Sequence, residues 1–448
     1  MKRVLCLLCL VLLFAGCAAQ SAPEQPGSEE PPLTLPDGQA SEFRLTQDEY
    51  TSEVLDDDGT LLLTTAWTLP RLVLTDAGGT PIERGDTTLT PAEQRGLAVC
   101  DAFNAEMTQL LTQLREFEVD LEDMARSDIA LRRELADSGQ GFGEFISYVD
   151  ELSLVHTYQT GTLVSVCTMT YSSTGGAHPN TAFQTWNFDL TSGRFLTYED
   201  FAADEPTFRA AVSGEIMRQI FAQGLEENYY DDYATYVENL AYASVYFSEE
   251  GMTVLFDEYT IGPHAAGTPT FFVSAGLFAD LLSERGLALL TLPEEAFLLA
   301  DFFHARELWA CFHTKTLPLD ETSTVDADGM RCYRVDYPGV ATMGDLRALL
   351  CTCLSGEVAD AWLANGPYRE ADGVLCCAAE RVPGGGGVPG SEEYAVERSD
   401  GGGEVVVTRT QTYHDAASGT DRTDESEHRF PFVLQEGSAV FTAFDGIW

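Results

Sequence analysis

Residues 162–194 read TLVSVCTMTYSSTGGAHPNTAFQTWNFDLTSGR, and this stretch decides the fold prediction. From Thr162 to Tyr171 apolar and polar residues alternate, which is typical of a strand with one buried face. Ala182 to Leu190 reads as a second strand, turned by Thr191-Ser192-Gly193. We therefore expect the block that contains this stretch, residues 144–290, to be mainly antiparallel β.

The preceding block, residues 41–143, opens with strand signals. Leu61 to Trp67 and Leu69 to Leu74 are rich in β-forming residues, and Asp58-Gly59 just before them is a hairpin turn signal. The block is predicted to be a smaller α+β domain.

A helix is predicted in the second half of this block. Thr90-Pro91-Ala92-Glu93 combines a capping residue, a proline at the first helical position and an acid in the first turn. Apolar residues then recur at helical spacing to about Arg115, and a second helical stretch is predicted to about Leu135.

The last block, residues 294–448, begins with an amphipathic helix from Glu295 to about Phe312. Thr342 is expected to cap a further helix, which Val358 to Leu363 continues. Strands alternating with Gly-rich breaks follow, and this order suggests a cystatin-like or NTF2-like α+β domain. The predicted fold class for the whole chain is α+β, with antiparallel sheets and packed helices.

The N-terminal residues indicate export. Lys2-Arg3 precedes an apolar run from Val4 to Phe14, and Ala15-Gly16-Cys17 resembles the cleavage site of a lipoprotein signal peptide, residues 1–17. An ordinary signal peptide or an uncleaved anchor is the alternative. Lipidation of Cys17 would hold the protein on the extracytoplasmic face of the cell membrane. Residues 18–40 are rich in Pro, Ser, Glu and Gly, which predicts a flexible linker.

The charge of the chain limits its partners. With 72 acidic and 25 basic residues the formal net charge is −47. No basic stripe is available for nucleic acid, so nucleic acid is not expected as a partner. Contact with the membrane is expected only through the lipid on Cys17.

Eight cysteines follow Cys17, and an even set in an exported chain permits disulfides without fixing their pairing. Cys351-Thr352-Cys353 and Cys376-Cys377 lack the paired CxxC spacing of zinc sites. We expect buried free thiols and one or two disulfides rather than a metal site.

Two separated motifs lie in residues 144–290. The first is YSSTGGAHPN at 171–180, followed by WNFDLTSGR at 186–194; the second is YFS at 246–248 and FDEYTIGPHAAG at 256–267. Together they resemble the extracellular domain of RsiV-type anti-sigma factors, which also occurs beside some peptidoglycan deacetylases. The resemblance covers roughly residues 41–285.

This resemblance implies a binding function outside the cell, since the best-known members bind lysozyme and report attack on the cell wall. RsiV-type anti-sigma factors carry a cytoplasmic sigma-binding segment and a membrane helix, whereas only three residues precede the apolar run at Val4 to Phe14, so sigma-factor regulation is not expected. The deacetylase module of the other relatives is missing too. The last block resembles the cystatin-like inhibitors of peptidoglycan endopeptidases, through DYP at 336–338, the strand entry at 368–373, and PFVLQEG at 431–437 before FTAF at 441–444.

The two motif loops supply the candidate ligand-binding residues, which are Gly175, Gly176, His178, Asn180, Tyr259 and His264. His178 and His264 could meet in space, and one interpretation is that they hold a metal together with Asp189 or Asp257, although such a site needs three or four convergent ligands. The competing interpretation is that His178 hydrogen-bonds within its own loop while Gly175-Gly176 supply positive φ.

Catalytic signatures are absent from the sequence, which contains no HExxH, GxSxG or SxxK motif. We therefore predict a non-enzymatic, lipid-anchored envelope protein without a cofactor. Its partner would be lysozyme, a peptidoglycan hydrolase or cell-wall material, and a cationic protein is favoured by the charge. A metal-dependent hydrolase acting on wall glycan or peptide is the alternative.

Overall fold

The computed structural model of the protein describes residues 41–85, 89–139, 143–176, 178–222, 225–327, 330–337, 339–371, 373–378, 391–415 and 420–446. The predicted signal peptide, Cys17 and the linker at 18–40 lie outside these residues. Helices and antiparallel sheets both contribute extensively, so the predicted α+β class is confirmed.

Two compact units make up the chain. Of the described residues, the first unit contains those up to Thr197 together with Leu240–Tyr246 and Leu255–Thr270, and the second contains Tyr198–Asn239, Phe247–Val254 and those from Phe271 onward. The predicted three-block division stays a prediction.

A six-stranded sheet in the order β1 to β6 forms the body of the first unit. All neighbouring strands pair antiparallel except β2 and β3, which run parallel from Leu63–Tyr148 to Trp67–Leu152. The predicted turn at Gly59 joins β1 to β2, with φ of 87°. The strands are β1 Glu42–Leu55, β2 Leu61–Thr75, β3 Tyr148–Gln159, β4 Leu163–Ser173, β5 Asn180–Asp189 and β6 Arg194–Leu196.

One long helix, α1, spans Pro91–Asp137 and packs on one face of this sheet. The predicted cap is confirmed, since Thr90 and Glu93 form a reciprocal capping box. The predicted break near Arg115 is wrong. Buried residues continue at helical spacing beyond that point, at Leu121 and Ile129, and neither Pro nor Gly occurs between Arg115 and the helix end at Asp137.

Three strands form a separate sheet in the order β7-β8-β9. These are β7 Ala243–Phe247, β8 Gly251–Phe256 and β9 Thr270–Ser274. A hairpin joins β7 to β8, with Ser248 N donating to Gly251 O at 2.8 Å.

Short helices and aromatic packing characterise the first part of the second unit. Phe247 lies between Phe201 and Phe278, with ring centroids 4.4 and 6.4 Å away. The helices are α2 Glu205–Ala222, α3 Tyr233–Glu238, α4 Ala275–Phe278 and α5 Glu284–Leu290, with 3₁₀ turns at Tyr198–Phe201, Glu226–Asn228 and Ala279–Leu281.

The rest of the second unit consists of helix α6, Glu294–His313, two short helices and two four-stranded sheets. The short helices are α7 Met343–Leu350 and α8 Gly356–Asn365. The sheets have the orders β10-β11-β13-β12 and β14-β15-β16-β17. Their strands are β10 Leu319–Ala327, β11 Met330–Val335, β12 Tyr368–Ala371, β13 Val374–Ala378, β14 Ser391–Ser399, β15 Gly402–Asp415, β16 Thr420–Gln435 and β17 Ser438–Phe441.

Helix α6 supplies the centre of this core. Phe302 is fully buried and its ring contacts Phe430 and Phe441, with centroids 5.0 and 5.9 Å away. The cap predicted at Thr342 is confirmed by its reciprocal bonds with Asp345. The prediction that 358–363 continues the same helix is wrong, because Ser355 caps a new helix, α8. None of the helices in the described ranges is long and apolar enough to cross a membrane.

A buried ionic cluster connects α2, α6 and β14 within the second unit. The carboxylate of Glu392 accepts hydrogen bonds from Arg306 at 2.8 Å and from the Tyr394 hydroxyl at 2.6 Å. Arg218 of α2 lies 3.3 Å from the same oxygen and also pairs with Glu215. Only 5% of the Glu392 side chain is exposed, and its carboxylate compensates the charge of two half-buried arginines, of which Arg218 also has Glu215.

The eight cysteines of the folded part are free thiols, and all but Cys351 are buried. The expectation of one or two disulfides is therefore wrong, while the expected buried thiols are present. Burial raises the pKa of Cys100 and Cys167 to about 12, so these thiols stay protonated and unreactive.

Candidate functional site

The first candidate loop joins β4 to β5. Ser172 and Asn180 are directly paired across the hairpin, and the loop lies between these strands. Gly175 has φ of +72°, and a Cβ there would lie 3.0 Å from the Cβ of Ile146 and 3.3 Å from its carbonyl oxygen. The backbone and the close approach both require glycine at this position.

Gly176 is different from its neighbour. The prediction that both glycines supply positive φ is wrong for Gly176, which is not among the positive-φ residues, and a Cβ there would meet nothing within 4 Å. Of the two glycines, the hairpin therefore needs only Gly175 for its shape, whereas position 176 has room for a side chain.

The second candidate loop, Asp257–Gly267, follows β8. Asp257 fixes its start, because its Oδ1 accepts the backbone N–H of Phe183 in β5 at 3.0 Å. Burial raises the pKa of Asp257, and the bond from Phe183 opposes that shift. Both candidate loops belong to the first unit, and Asp257 holds the second against the strand that follows the first.

Tyr259 is the most exposed aromatic residue of this loop. Its φ is +67°, in a region that bulky side chains rarely adopt, and 55% of its surface is exposed. Its ring stacks on that of His264, with centroids 5.9 Å apart and an interplanar angle of 20°. A strained backbone that holds an aromatic ring in solvent is more typical of a recognition site than of a packing position.

His264 joins the two loops. Its Nδ1 lies 2.7 Å from Oε2 of Glu258, so the carboxylate orients the imidazole. The ring of His178, from the first loop, meets it edge to face with centroids 4.9 Å apart and planes at 83°. The structure thus brings both predicted histidines together, as the sequence had suggested. We call His178, Tyr259 and His264 the aromatic ledge.

The remaining candidates lie around the ledge in different ways. Asn180 is exposed at the start of β5, and Gly175 shapes the loop without a side chain of its own. Glu258 was absent from the candidate list although it stands within the second motif. Glu258 contacts His264, six residues further along the chain, because the backbone turns at Tyr259, which has positive φ. The sequence spacing alone does not predict this contact.

The proposed metal ligands have other partners. Asp189 accepts bonds from Thr191 N at 2.7 Å and from the Ser192 hydroxyl at 2.8 Å, so it caps the turn after β5. Asp257 is bound to β5. Across the residues that the structure describes, no group of three or more His, Cys, Asp or Glu side chains could hold a metal ion. The ledge as described offers stacking and hydrogen bonding rather than metal coordination.

Comparison with known proteins identifies part of the chain. Residues 199–275 match the family described as "Protein of unknown function (DUF3298)", so the chain carries a DUF3298 domain. The match includes Tyr259 and His264 of the second loop, whereas His178 lies before its first residue. No curated protein matches the chain.

Two solved structures are similar to part of the chain, and both are described as DUF3298 family proteins. The one from Bacteroides fragilis is 18% identical, with a TM-score of 0.37, covering 55% of this chain and 96% of the other. The one from Pseudomonas aeruginosa is 16% identical, with a TM-score of 0.32, covering 54% and 96%.

Proposed function

We propose that the protein is a non-enzymatic binding protein of the cell envelope, held on the extracytoplasmic face by lipid on Cys17. Its ligand is a cationic, cell-wall-directed protein such as lysozyme or a peptidoglycan hydrolase. The observation that carries the proposal is the aromatic ledge, formed where the two motif loops of RsiV-like sequence meet. The resemblance in those motifs supplies the class of ligand.

The chemistry of the ledge suits a protein partner. Tyr259 and His264 present stacked rings, and aromatic side chains supply large contact area at low cost in conformational entropy. The carboxylate of Glu258 lies 2.7 Å from Nδ1 of His264, so its negative charge is close to a guanidinium or ammonium group that stacks on the rings. Such contacts favour a cationic ligand over a neutral one.

The overall charge favours the same class of partner. A net charge of −47 attracts cationic proteins over a distance and raises their rate of association. Because exposed charges separated by more than about 10 Å are screened at 0.1 M salt, binding that depends on them weakens as salt is added.

The test is binding of lysozyme to the soluble chain, Ser21 onward, at low and high salt. Tyr259→Ala is expected to weaken binding at least about tenfold, as truncation of a central aromatic anchor does. Tyr242→Ala is the matched control, since Tyr242 is also a tyrosine with positive φ and is 73% exposed. Equal binding by both variants would exclude the ledge, and no binding at low salt would exclude lysozyme.

A further inference from the structure

A row of oxygen-bearing side chains crosses the sheet of the first unit beneath α1. Directly paired positions in five neighbouring strands place these side chains on one face of the sheet. The row, which we call the oxygen ladder, consists of Ser52, Thr65, Asp150, Ser172 and Asn180. Its inner members are buried, and its outer end, Asn180, begins the hairpin that carries His178.

Asp150 stands at the centre of the ladder and is fully buried. Its Oδ2 accepts the indole N–H of Trp67 at 2.9 Å. Its Oδ1 has no hydrogen-bond partner among the described protein atoms. A buried carboxylate oxygen without a partner is costly, and such an atom calls for an explanation.

A second carboxylate reaches the ladder from the helix. Oε1 of Glu118 in α1 accepts the hydroxyl of Thr65 at 3.0 Å and also that of Ser52. Ser52 and Thr65 are themselves 3.0 Å apart, so one carboxylate and two hydroxyl groups form a closed set of oxygens next to Asp150.

The charges around Asp150 are of one sign. Burial, opposed by the bond from Trp67 and assisted by Glu118 and Glu151, raises the pKa of Asp150 to about 6. Asp56, directly after β1, shows the usual arrangement, since Arg126 and Arg133 both pair with it. Asp150 and Glu118 lie instead beside hydroxyl groups of the ladder.

We propose that the oxygen ladder binds a calcium ion through Asp150 and Glu118, with the hydroxyl groups of Thr65 and Ser52 and water completing its oxygen shell. Calcium accepts six to eight oxygen ligands in flexible geometry, whereas magnesium demands a near-ideal octahedron. The ion binds Oδ1 of Asp150, which otherwise has no hydrogen-bond partner among the described atoms, and neutralises the charges of Asp150 and Glu118. It also joins α1 to three strands of the sheet.

The site is independent of ligand recognition at the ledge, so either proposal can fail alone. The purified chain is treated with EDTA at pH 7.5 and titrated with calcium chloride up to several millimolar, the range of extracellular calcium modules. Calorimetry is expected to give one ion per chain, and the midpoint of thermal unfolding is expected to rise by several degrees. Magnesium is expected to have a smaller effect.

Two variants assign the effect to the ladder. Asp150→Asn keeps the shape of the side chain and an acceptor for Trp67, and Glu118→Gln acts at the half-buried edge should the first variant fold poorly. Each is expected to weaken calcium binding at least about tenfold. Asp101→Asn, at an exposed carboxylate on the same helix, is the control and is expected to keep the full response.

Three results would overturn the proposal. Absence of calcium binding in the wild type is one. An equal rise in the unfolding midpoint in wild type and Asp150→Asn would place the ion elsewhere. Equal affinity for magnesium and calcium would contradict a flexible oxygen site of this kind.

Discussion

The imidazole rings of His178 and His264 meet edge to face, 4.9 Å apart, although 86 positions of sequence separate them. The contact joins the β4–β5 hairpin to the loop after β8, which are the two places where the sequence resembles RsiV-type domains. Two motifs that are distant in the chain therefore form one surface. This relationship underlies the proposed function and the predictions for the loops.

The shape of the first loop depends on Gly175. Gly175→Ala is expected to destabilise the protein by about 1–3 kcal/mol, because alanine must adopt a positive φ and its Cβ meets the backbone of Ile146. Gly176→Ala is the control and should unfold at the wild-type denaturant concentration. Equal midpoints for the two variants would contradict the described hairpin.

The ionic cluster around Glu392 is expected to dominate the stability of the second unit. Glu392→Gln should cost about 3 kcal/mol, since it removes the carboxylate that compensates half-buried Arg306 and one of the two carboxylates that pair with Arg218. Glu397→Gln is the matched control on the same strand. The Glu397 side chain is 57% exposed in its pair with Arg429, so this substitution should not measurably change stability. Urea titration measures the free energy of unfolding of both variants, and equal values would show that the cluster does not stabilise the second unit.

The same cluster predicts a pH dependence. Burial opposes ionisation of Glu392, but Arg306 and Arg218 outweigh it and lower its pKa from 4.5 to about 2. Because the folded pKa lies below the unfolded one, the stabilisation is complete above pH 4.5 and is lost as the pH falls towards 2. Wild type should lose stability over that range more steeply than Glu392→Gln, and parallel curves would contradict the assignment.

The thiols give a direct check on the cysteines. In the soluble chain from Ser21, a thiol reagent such as DTNB is expected to react quickly only with Cys351, the one cysteine of the eight that is not buried. All eight should react after denaturation without reductant. A smaller total would reveal disulfides and contradict the free thiols of the structure.

Local signals predicted much of the fold. The capping box at Thr90, the turn at Gly59 and the strand from Thr162 to Tyr171 all depend on neighbours in sequence, and all three are present. The single buried face expected of that strand is wrong, because Leu163 to Thr168 of β4 are buried on both faces. The β10–β11 hairpin was missed, since LDETSTVDA in β10 is polar and lacks the apolar alternation of a half-buried strand.

Tertiary contacts explain the other differences. Leu61–Trp67 and Leu69–Leu74 were predicted as separate segments, yet β2 is continuous through Pro70. Pairing with β3 ends at Trp67, and beyond the proline the side-chain amide of Asn104 bonds both the N–H and the carbonyl of Leu72. That compensation comes from a helix 32 residues away and has no local signature.

The candidate site was predicted in part. The motifs were sufficient to name the histidines, Tyr259 and the glycines. The contact between Glu258 and His264 could be recognised only from the folded loop, whose turn brings the two side chains together. The oxygen ladder was not foreseen, because its members belong to five strands whose register only the folded sheet defines.

The central claim is that the ledge recognises a cationic wall-directed protein, and the most direct measurement is lysozyme binding by wild type, Tyr259→Ala and Tyr242→Ala at low and high salt. The account predicts binding that weakens as salt rises, is reduced at least about tenfold by Tyr259→Ala and is unchanged by Tyr242→Ala. Binding that is insensitive to salt and to Tyr259, or no binding at low salt, would contradict it.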